Sequence, residues 1–215
     1  SGCASSGSNS IHQRKDFLMM SEQSIPILLI DAGTGNLHSV FHTLRSITDQ
    51  IVISDKPEDV LKADRIILPG VGAFSGFMQG LQNRNLIDPI HDFVKIGNPL
   101  FGICVGMQAF FDYSEENGIH KGLGFLPGSV KVFQYIPNLK IPHTGWNQLW
   151  FQDQAHLLQN INPGDYVYFN HSYYCIPENP GDIGASTDYG IDFCSIVQRE
   201  NVYGVQFHPE KSQKV

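Results

Sequence analysis

One cysteine lies in a segment whose spacing is typical of an enzyme nucleophile. Cys104 has glycines two residues to each side, in Gly102-Ile-Cys-Val-Gly106, after an apolar run and before a helical pattern. In a nucleophile elbow the nucleophile occupies a sharp strand-to-helix turn, and glycines let the backbone pass without Cβ clashes. The start of the following helix favours a thiolate. The segment therefore predicts a nucleophilic cysteine; a buried core cysteine between tightly packed glycines is the alternative.

A cysteine nucleophile requires a base and a group that orients the base. Among the nine histidines, His208 ends an apolar run in the sequence Gln-Phe-His-Pro-Glu-Lys. Pro209 restricts His208 to extended geometry, so that Glu210 can approach the imidazole. His143 and His171 also lie in unusual segments, but neither has a carboxylate beside it. We expect a triad of Cys104, His208 and Glu210; for His-Pro-Glu alone, a solvated turn is the ordinary alternative.

The elements that must position this triad follow from hydrophobic periodicity. Apolar runs alternate with helical patterns in the first half of the chain, which predicts a parallel sheet covered by helices on both faces. The second half is richer in strand-like runs, which predicts β-strands added to that α/β core. Strands are expected over residues 25–30, 51–53, 65–70, 99–103, 131–133, 166–169, 193–197 and 202–207, and helical patterns over 37–47, 57–64, the segment up to about 95, and 107–113.

Composition excludes several classes of protein. The 215 residues, 41% hydrophobic, suit one medium-sized domain with a buried core. A formal net charge of -7 without a basic patch argues against nucleic-acid binding. No apolar run approaches the roughly 20 residues of a membrane helix. The four cysteines are widely spaced, unlike those of a zinc site or a disulfide scaffold, so a reducing, cytoplasmic location and no metal are expected.

Two segments resemble the signatures of class I, or triad-type, glutamine amidotransferases: residues 102–108 (GICVGMQ) and 204–212 (GVQFHPEKS). Four more resemble the glutaminase subunits of imidazole glycerol phosphate synthases, in histidine biosynthesis: residues 31–40, 69–74, 142–149 and 168–174. The resemblance runs from about Ile25 to Ser212. It implies the three-layer α/β fold of that family, with a mainly parallel central sheet, helices on both faces and added β-strands in the C-terminal half.

The resemblance also implies a role for each matching residue. Cys104 would attack the glutamine amide, His208 would transfer protons and Glu210 would orient His208. The other roles fall into three groups: an oxyanion hole of Val71 and Val105; contacts to the backbone end of glutamine from Gly72, Gln108, Ser172 and Tyr173; and a surface facing a (β/α)8-barrel cyclase subunit, formed by Asn36, Trp146, Tyr168 and Lys211. No metal or organic cofactor is implied.

The residue patterns by themselves leave other interpretations open. Trp146 also fits a core tryptophan, Lys211 a solvated surface charge, and residues 69–74 a tight strand–helix connection. Two positions depart from the family pattern: Val105 stands where leucine is usual and Thr144 where methionine is usual. Neither change removes a catalytic group.

Composition and the resemblance together divide the chain into two parts. Residues 1–22, rich in serine, glycine and asparagine, are expected to be a disordered N-terminal extension or a remnant of cloning. Residues 23–215 are expected to form the amidotransferase domain, truncated at its C-terminus because no helix follows residue 212.

The leading functional hypothesis is a glutaminase subunit of a heterodimer. It would hydrolyse L-glutamine through a cysteinyl thioester and channel ammonia to the barrel cyclase, which would make imidazole glycerol phosphate and AICAR. A related family branch instead supplies ammonia to another barrel partner in surface-sugar biosynthesis. A stand-alone cysteine hydrolase and a non-catalytic binding subunit are further alternatives.

Overall fold

The computed structural model describes residues 25–34, 36–137, 139–152 and 156–213. The expected extension over residues 1–22 lies outside these ranges, as do the last two residues, so the domain boundaries stay predictions. The strands are β1 (Ile27–Ile30), β2 (Ile51–Ser54), β3 (Ile66–Gly70), β4 (Leu100–Cys104), β5 (Phe111–Ser114), β6 (His120–Lys121), β7 (Leu126–Val132), β8 (His143–Gln148), β9 (Tyr166–His171), β10 (Tyr173–Pro177), β11 (Ile183–Asp188), β12 (Asp192–Arg199) and β13 (Val202–Val205).

Eleven of these strands form one sheet in the order β2-β1-β3-β4-β13-β12-β10-β7-β5-β6, with β11 paired to β12. Four neighbouring pairs in this order are parallel: β2–β1, β1–β3, β3–β4 and β4–β13. The next three pairs are antiparallel: β13–β12, β12–β10 and β10–β7. Strands β8 and β9 form a separate antiparallel hairpin, in which Trp146 lies opposite Tyr168. The expected α/β class with added strands in the second half is confirmed.

The helices are α1 (Leu37–Arg45), α2 (Pro57–Val60), α3 (Phe74–Asn83), α4 (Ile87–Lys95) and α5 (Val105–Gln108). The chain moves one way along the sheet from β1 to β2, and the other way from β2 through β3 to β4. Because crossovers between parallel strands are right-handed, α1 covers one face and α2, α3 and α4 cover the other. Contact between α2 and α4 agrees with this placement. None of the helices in the described ranges is long and apolar enough to cross a membrane.

One part of the core lies where these helices meet the parallel strands, and the core continues to Phe169 of β9 and Phe193 of β12. Leu28, Leu29 and Ile30 of β1 are wholly buried, which explains the unbroken apolar run at this point in the sequence. The aromatic side chains of Phe74 and Phe77 on α3 are also fully buried.

The helix expected over residues 107–113 was wrong beyond Gln108. Helix α5 ends there, and residues 111–114 form strand β5. The carbonyl of Ala109 accepts from the N–H of Leu123, and that of Phe110 accepts from Phe125 and Leu126. These carbonyls are therefore taken by a neighbouring segment and cannot continue a helix.

Two glycines of helix α3 give a matched test of this packing. A Cβ on Gly80 would lie 1.9 Å from the carbonyl oxygen of Ala32, whereas a Cβ on Gly76 would meet nothing within 4 Å. We expect Gly80→Ala to lower the free energy of unfolding by about 2 kcal/mol or more. Gly76→Ala should raise it by about 0.5–1 kcal/mol, because alanine is the better helix former. Urea unfolding measures both; equal effects of the two substitutions would contradict the described contact.

Candidate active site

The site lies where three parallel strands end. Gly70 at the end of β3 pairs with Cys104 at the end of β4, and Ile103 pairs with Val205 at the end of β13. Because parallel strands present their carboxyl ends at one edge of the sheet, the residues that follow β13 arrive beside Cys104.

Cys104 has the backbone of a nucleophile elbow. Its φ of 55° and ψ of -110° lie outside the conformations that non-glycine residues prefer. Around it the chain is packed so closely that Cβ atoms do not fit: one on Gly106 would lie 1.8 Å from the carbonyl oxygen of Leu68, and one on Gly102 would lie 2.7 Å from the backbone nitrogen of Met107. The glycine spacing seen in the sequence therefore has a steric cause.

The structure brings the three triad residues together. The Nδ1 atom of His208 lies 2.9 Å from Oε1 of Glu210, and the side chains of His208 and Glu210 are only 4% and 3% exposed. The imidazole of His208 also lies beside the side chain of Cys104, near enough for the two groups to influence each other's charge. Burial, the largest single effect, opposes protonation of His208, but the interactions with Cys104 and Glu210 and their charges together raise its pKa from 6.5 to about 9. An imidazolium beside Cys104 stabilises a thiolate.

Backbone contacts hold His208 in place. Its N–H donates to the carbonyl of Tyr168 on β9 at 2.9 Å. The hydroxyl of Ser212 donates to the carbonyl of His208 at 2.7 Å and accepts from the N–H of Tyr168 at 3.1 Å. Ser212 thus ties the catalytic histidine candidate to the β8–β9 hairpin.

The other described cysteines are poor candidates for the nucleophile. Cys175 and Cys194 are buried on β10 and β12. Burial raises the pKa of both thiols well above the ordinary value. Neither thiol supplies appreciable thiolate at neutral pH.

A cavity of about 380 Å³ opens beside Cys104. Both residues expected to form the oxyanion hole line it: Val71 and Val105. All four residues expected to bind glutamine also line it: Gly72, Gln108, Ser172 and Tyr173. Of the four residues expected at the partner surface, two line it: Asn36 and Lys211. Val105 is the first residue of helix α5, where N–H groups have no acceptor within the helix.

The other two expected partner-facing residues lie outside this cavity. Trp146 is 45% exposed, so its alternative interpretation as a core residue was wrong. Its ring centroid lies 6.0 Å from that of Tyr168, and the Nζ atom of Lys211 lies 5.6 Å from the centre of the Tyr168 ring. Trp146, Tyr168 and Lys211 therefore form a continuous surface, called here the hairpin surface, that reaches the cavity.

Sequence reasoning missed two polar residues of this region. Glu116 lines the cavity, and its Oε2 atom accepts from the N–H of Phe74, the first residue of α3, at 2.7 Å. Gln206 is completely buried, and its Nε2 atom lies 3.6 Å from Sγ of Cys104. Nothing local distinguishes Glu116 from its neighbour Glu115. Gln206 lies two residues before His208, in the segment that suggested the base, and this was the available signal.

Two buried histidines lie in the β8–β9 hairpin, and one of them, His171, lines the cavity. His143 and His171 are partners across the β8–β9 hairpin, and Nδ1 of His143 is 3.1 Å from Nε2 of His171. Nδ1 of His171 lies 2.8 Å from the carbonyl of Tyr173, which can only accept, so this nitrogen carries the proton of a neutral ring. Burial lowers the pKa of His143 to about 4 and that of His171 to about 3.

These lowered pKa values predict a loss of stability in acid. As the pH is lowered from 6.5 to 5, the unfolded chain binds protons at both histidines and the folded chain does not. The free energy of unfolding therefore decreases as the pH is lowered, by roughly 2 kcal/mol for each histidine at pH 5. The raised pKa of His208 contributes no slope here, because its stabilisation is complete below 6.5.

We expect His143→Asn to flatten this dependence by about half, whereas His42→Asn, at an exposed position, should leave it unchanged. Urea unfolding at several pH values measures the slopes. Identical slopes in all three proteins would contradict the burial of a neutral His143.

Comparison with known proteins agrees with this architecture. The family model described as glutamine amidotransferase class-I matches residues 28–215. The chain is 44% identical over 188 residues to the imidazole glycerol phosphate synthase subunit HisH of Aquifex aeolicus, covering 87% of this chain and 90% of that one. It is 46% identical over 188 residues to the subunit of the same name from Acaryochloris marina, covering 86% and 87%.

Solved structures support the fold at lower sequence identity. A crystal structure of a glutamine amidotransferase aligns with a TM-score of 0.67 and 18% identity, covering 85% of this chain and 90% of that chain. PurLQS from Thermotoga maritima aligns with a TM-score of 0.62 and 15% identity, covering 87% and 88%. The family match, the relatives and the fold together establish that the chain belongs to the class I glutamine amidotransferases.

Proposed function

We propose that this chain is the glutaminase subunit of an imidazole glycerol phosphate synthase and that Cys104, His208 and Glu210 carry its chemistry. One observation supports the proposal above all others. A cysteine in a strained elbow lies beside a buried histidine, which a buried carboxylate holds from the other side. The named relatives support the choice of enzyme within the family.

The first half of the reaction forms a thioester. The Cys104 thiolate attacks the side-chain carbonyl carbon of glutamine, and the carbonyl electron pair moves onto oxygen. His208, protonated in the resting site, donates its proton to the amide nitrogen as the C–N bond breaks, so that ammonia leaves. Glu210 keeps the imidazole oriented throughout, through the bond at its Nδ1 atom.

The second half releases glutamate. Neutral His208 takes a proton from water, whose oxygen attacks the thioester carbon. Collapse of this second tetrahedral intermediate expels the Cys104 thiolate and leaves His208 protonated again. The N–H groups of Val71 and Val105 are proposed to donate to the oxyanion in both halves, since both residues line the cavity beside Cys104.

The cavity wall suggests how the amino-acid end of glutamine is held. Gly72, Gln108, Ser172 and Tyr173 are proposed to contact it. Glu116 also lines the cavity, and its carboxylate is fixed by the N–H of Phe74. A fixed carboxylate is a suitable counter-charge for the α-ammonium group of free glutamine.

The hairpin surface is the proposed docking site for a (β/α)8-barrel cyclase subunit. Trp146 offers a half-exposed aromatic ring, and Lys211 connects that surface to the cavity where ammonia forms. Asn36, on the cavity wall, is proposed to face the same partner. Ammonia passed directly across such an interface does not equilibrate with water. We place this complex in the cytoplasm, as a heterodimer in which the cyclase consumes the ammonia.

The nucleophile is tested by comparing two buried cysteines. Cys104→Ala removes the attacking sulfur, so glutamate release by the complex with the cyclase should fall by at least about 10⁴-fold. Cys194→Ala removes an equally buried thiol outside the site and should keep most of the activity. Glutamate formed per minute, measured enzymatically, gives the result. Ordinary turnover by Cys104→Ala would remove the proposed mechanism.

The docking site is tested by comparing the two tryptophans. Trp146 and Trp150 are similarly exposed, at 45% and 49%, but Trp150 lies beside β11, where its backbone pairs with Ser186. We expect Trp146→Ala to raise the dissociation constant for the cyclase about 30-fold, as for a binding hot spot, and Trp150→Ala to change it less than about threefold. Calorimetric titration measures both. The hairpin surface is the wrong interface if Trp150→Ala has the larger effect.

A further inference from the structure

The sulfur of Cys104 contacts a second polar group besides His208. The Nε2 atom of Gln206 lies 3.6 Å from Sγ, in position to donate a hydrogen bond to it. The Gln206 side chain is completely buried. Its backbone N–H donates to the carbonyl of Ser195 on β12 at 2.9 Å, so the sheet itself fixes where this side chain begins.

A chain of hydrogen bonds fixes which end of the Gln206 amide faces the sulfur. The Nε2 atom of Gln108 lies 3.0 Å from the carbonyl oxygen of Tyr173 and 3.0 Å from Oε1 of Gln206. A backbone carbonyl can only accept, so Gln108 must present its NH₂ group there. That same NH₂ group requires an acceptor on Gln206, which must therefore present its oxygen to Gln108. The NH₂ group of Gln206 is left facing Sγ of Cys104.

We propose that Gln206 is a further catalytic residue, which stabilises the Cys104 thiolate by donating a hydrogen bond from its side-chain amide. This inference rests on the proposed function, in which Cys104 is the nucleophile. Gln108 acts behind it as a positioning residue, because it holds the Gln206 oxygen and thereby aims the nitrogen.

The arrangement gives the sulfur two donors with different properties. His208 must release its proton during the reaction, so its support of the thiolate changes from step to step. An amide does not titrate and stays a donor throughout. Because the group is buried and already oriented, no reorganisation is needed when the thiolate forms or returns as the leaving group.

Two substitutions separate this role from simple packing. Gln206→Leu keeps a side chain of similar shape without a donor. Gln206→Glu keeps an acceptor for Gln108 but turns a carboxylate oxygen toward the sulfur. Gln198→Leu is the matched control, because Gln198 is a half-buried glutamine on the neighbouring strand β12 that lines a different cavity.

The measurement is the rate at which iodoacetamide alkylates Cys104 in the full chain, followed by peptide mass spectrometry from pH 5 to 10. Only the thiolate reacts, so the midpoint of the rate profile reports how strongly the site stabilises it. We expect the midpoint to move up by about one pH unit in Gln206→Leu, with a roughly tenfold slower rate below it. The shift should be larger in Gln206→Glu, and the midpoint should stay in place in Gln198→Leu.

An unchanged midpoint in both Gln206 variants would overturn the proposal, as would an equal shift in Gln198→Leu. If Gln206→Leu does not fold, Gln206→Glu decides, since it has nearly the same shape. Failure of the underlying function looks different. Ordinary turnover by Cys104→Ala would remove Cys104 as nucleophile and the role of Gln206 with it, whatever the alkylation midpoints are.

Discussion

The parallel pairing of β13 with β4 is the constraint on which the site depends. These strands are distant in sequence, and Gln206 and Cys104 stand 102 residues apart. Pairing in register aligns Val205 with Ile103, so the segments that follow β13 and β4 leave the sheet at the same edge. The segment after β4 turns sharply into helix α5 and holds the sulfur of Cys104 at the cavity, while the segment after β13 continues in extended form to the imidazole of His208. A slip of one residue would turn the side chains at that edge to the opposite face of the sheet.

Several buried polar side chains lie together at this edge of the sheet. Cys104, Gln108, Gln206 and His208 are all nearly inaccessible to water. Such groups are costly to bury unless their hydrogen bonds are made, and here each is used by a neighbour or by the main chain. The result is a rigid set of donors around the sulfur. In the proposed mechanism these groups stabilise the thiolate without reorganising, as water would have to.

Local signals in the sequence were enough to predict that Cys104, His208 and Glu210 lie together, and not enough to predict what surrounds them. The glycines around Cys104 and the proline after His208 meet steric requirements of their immediate neighbours. They can therefore be recognised in the sequence without knowledge of the fold. The expected helix over residues 107–113 followed an apolar pattern, yet backbone bonds from residues 123–126 ended it at Gln108. Gln108 and Gln206, which share a hydrogen bond, are 98 residues apart in the sequence. Glu116 is 42 residues from Phe74, whose N–H donates to it. The hydrophobic periodicity of a single segment does not predict contacts between such distant residues.

The distance between the two strands also has a consequence for biosynthesis. Strand β13 and His208 leave the ribosome about a hundred residues after Cys104, and until they dock the sulfur has neither imidazole nor amide beside it. The nascent chain therefore carries an ordinary thiol, which is slow to react with electrophiles and oxidants. In the proposed mechanism the reactive thiolate forms only when β13 pairs with β4, so the fold delays the hazard of a reactive sulfur until the enzyme can use it.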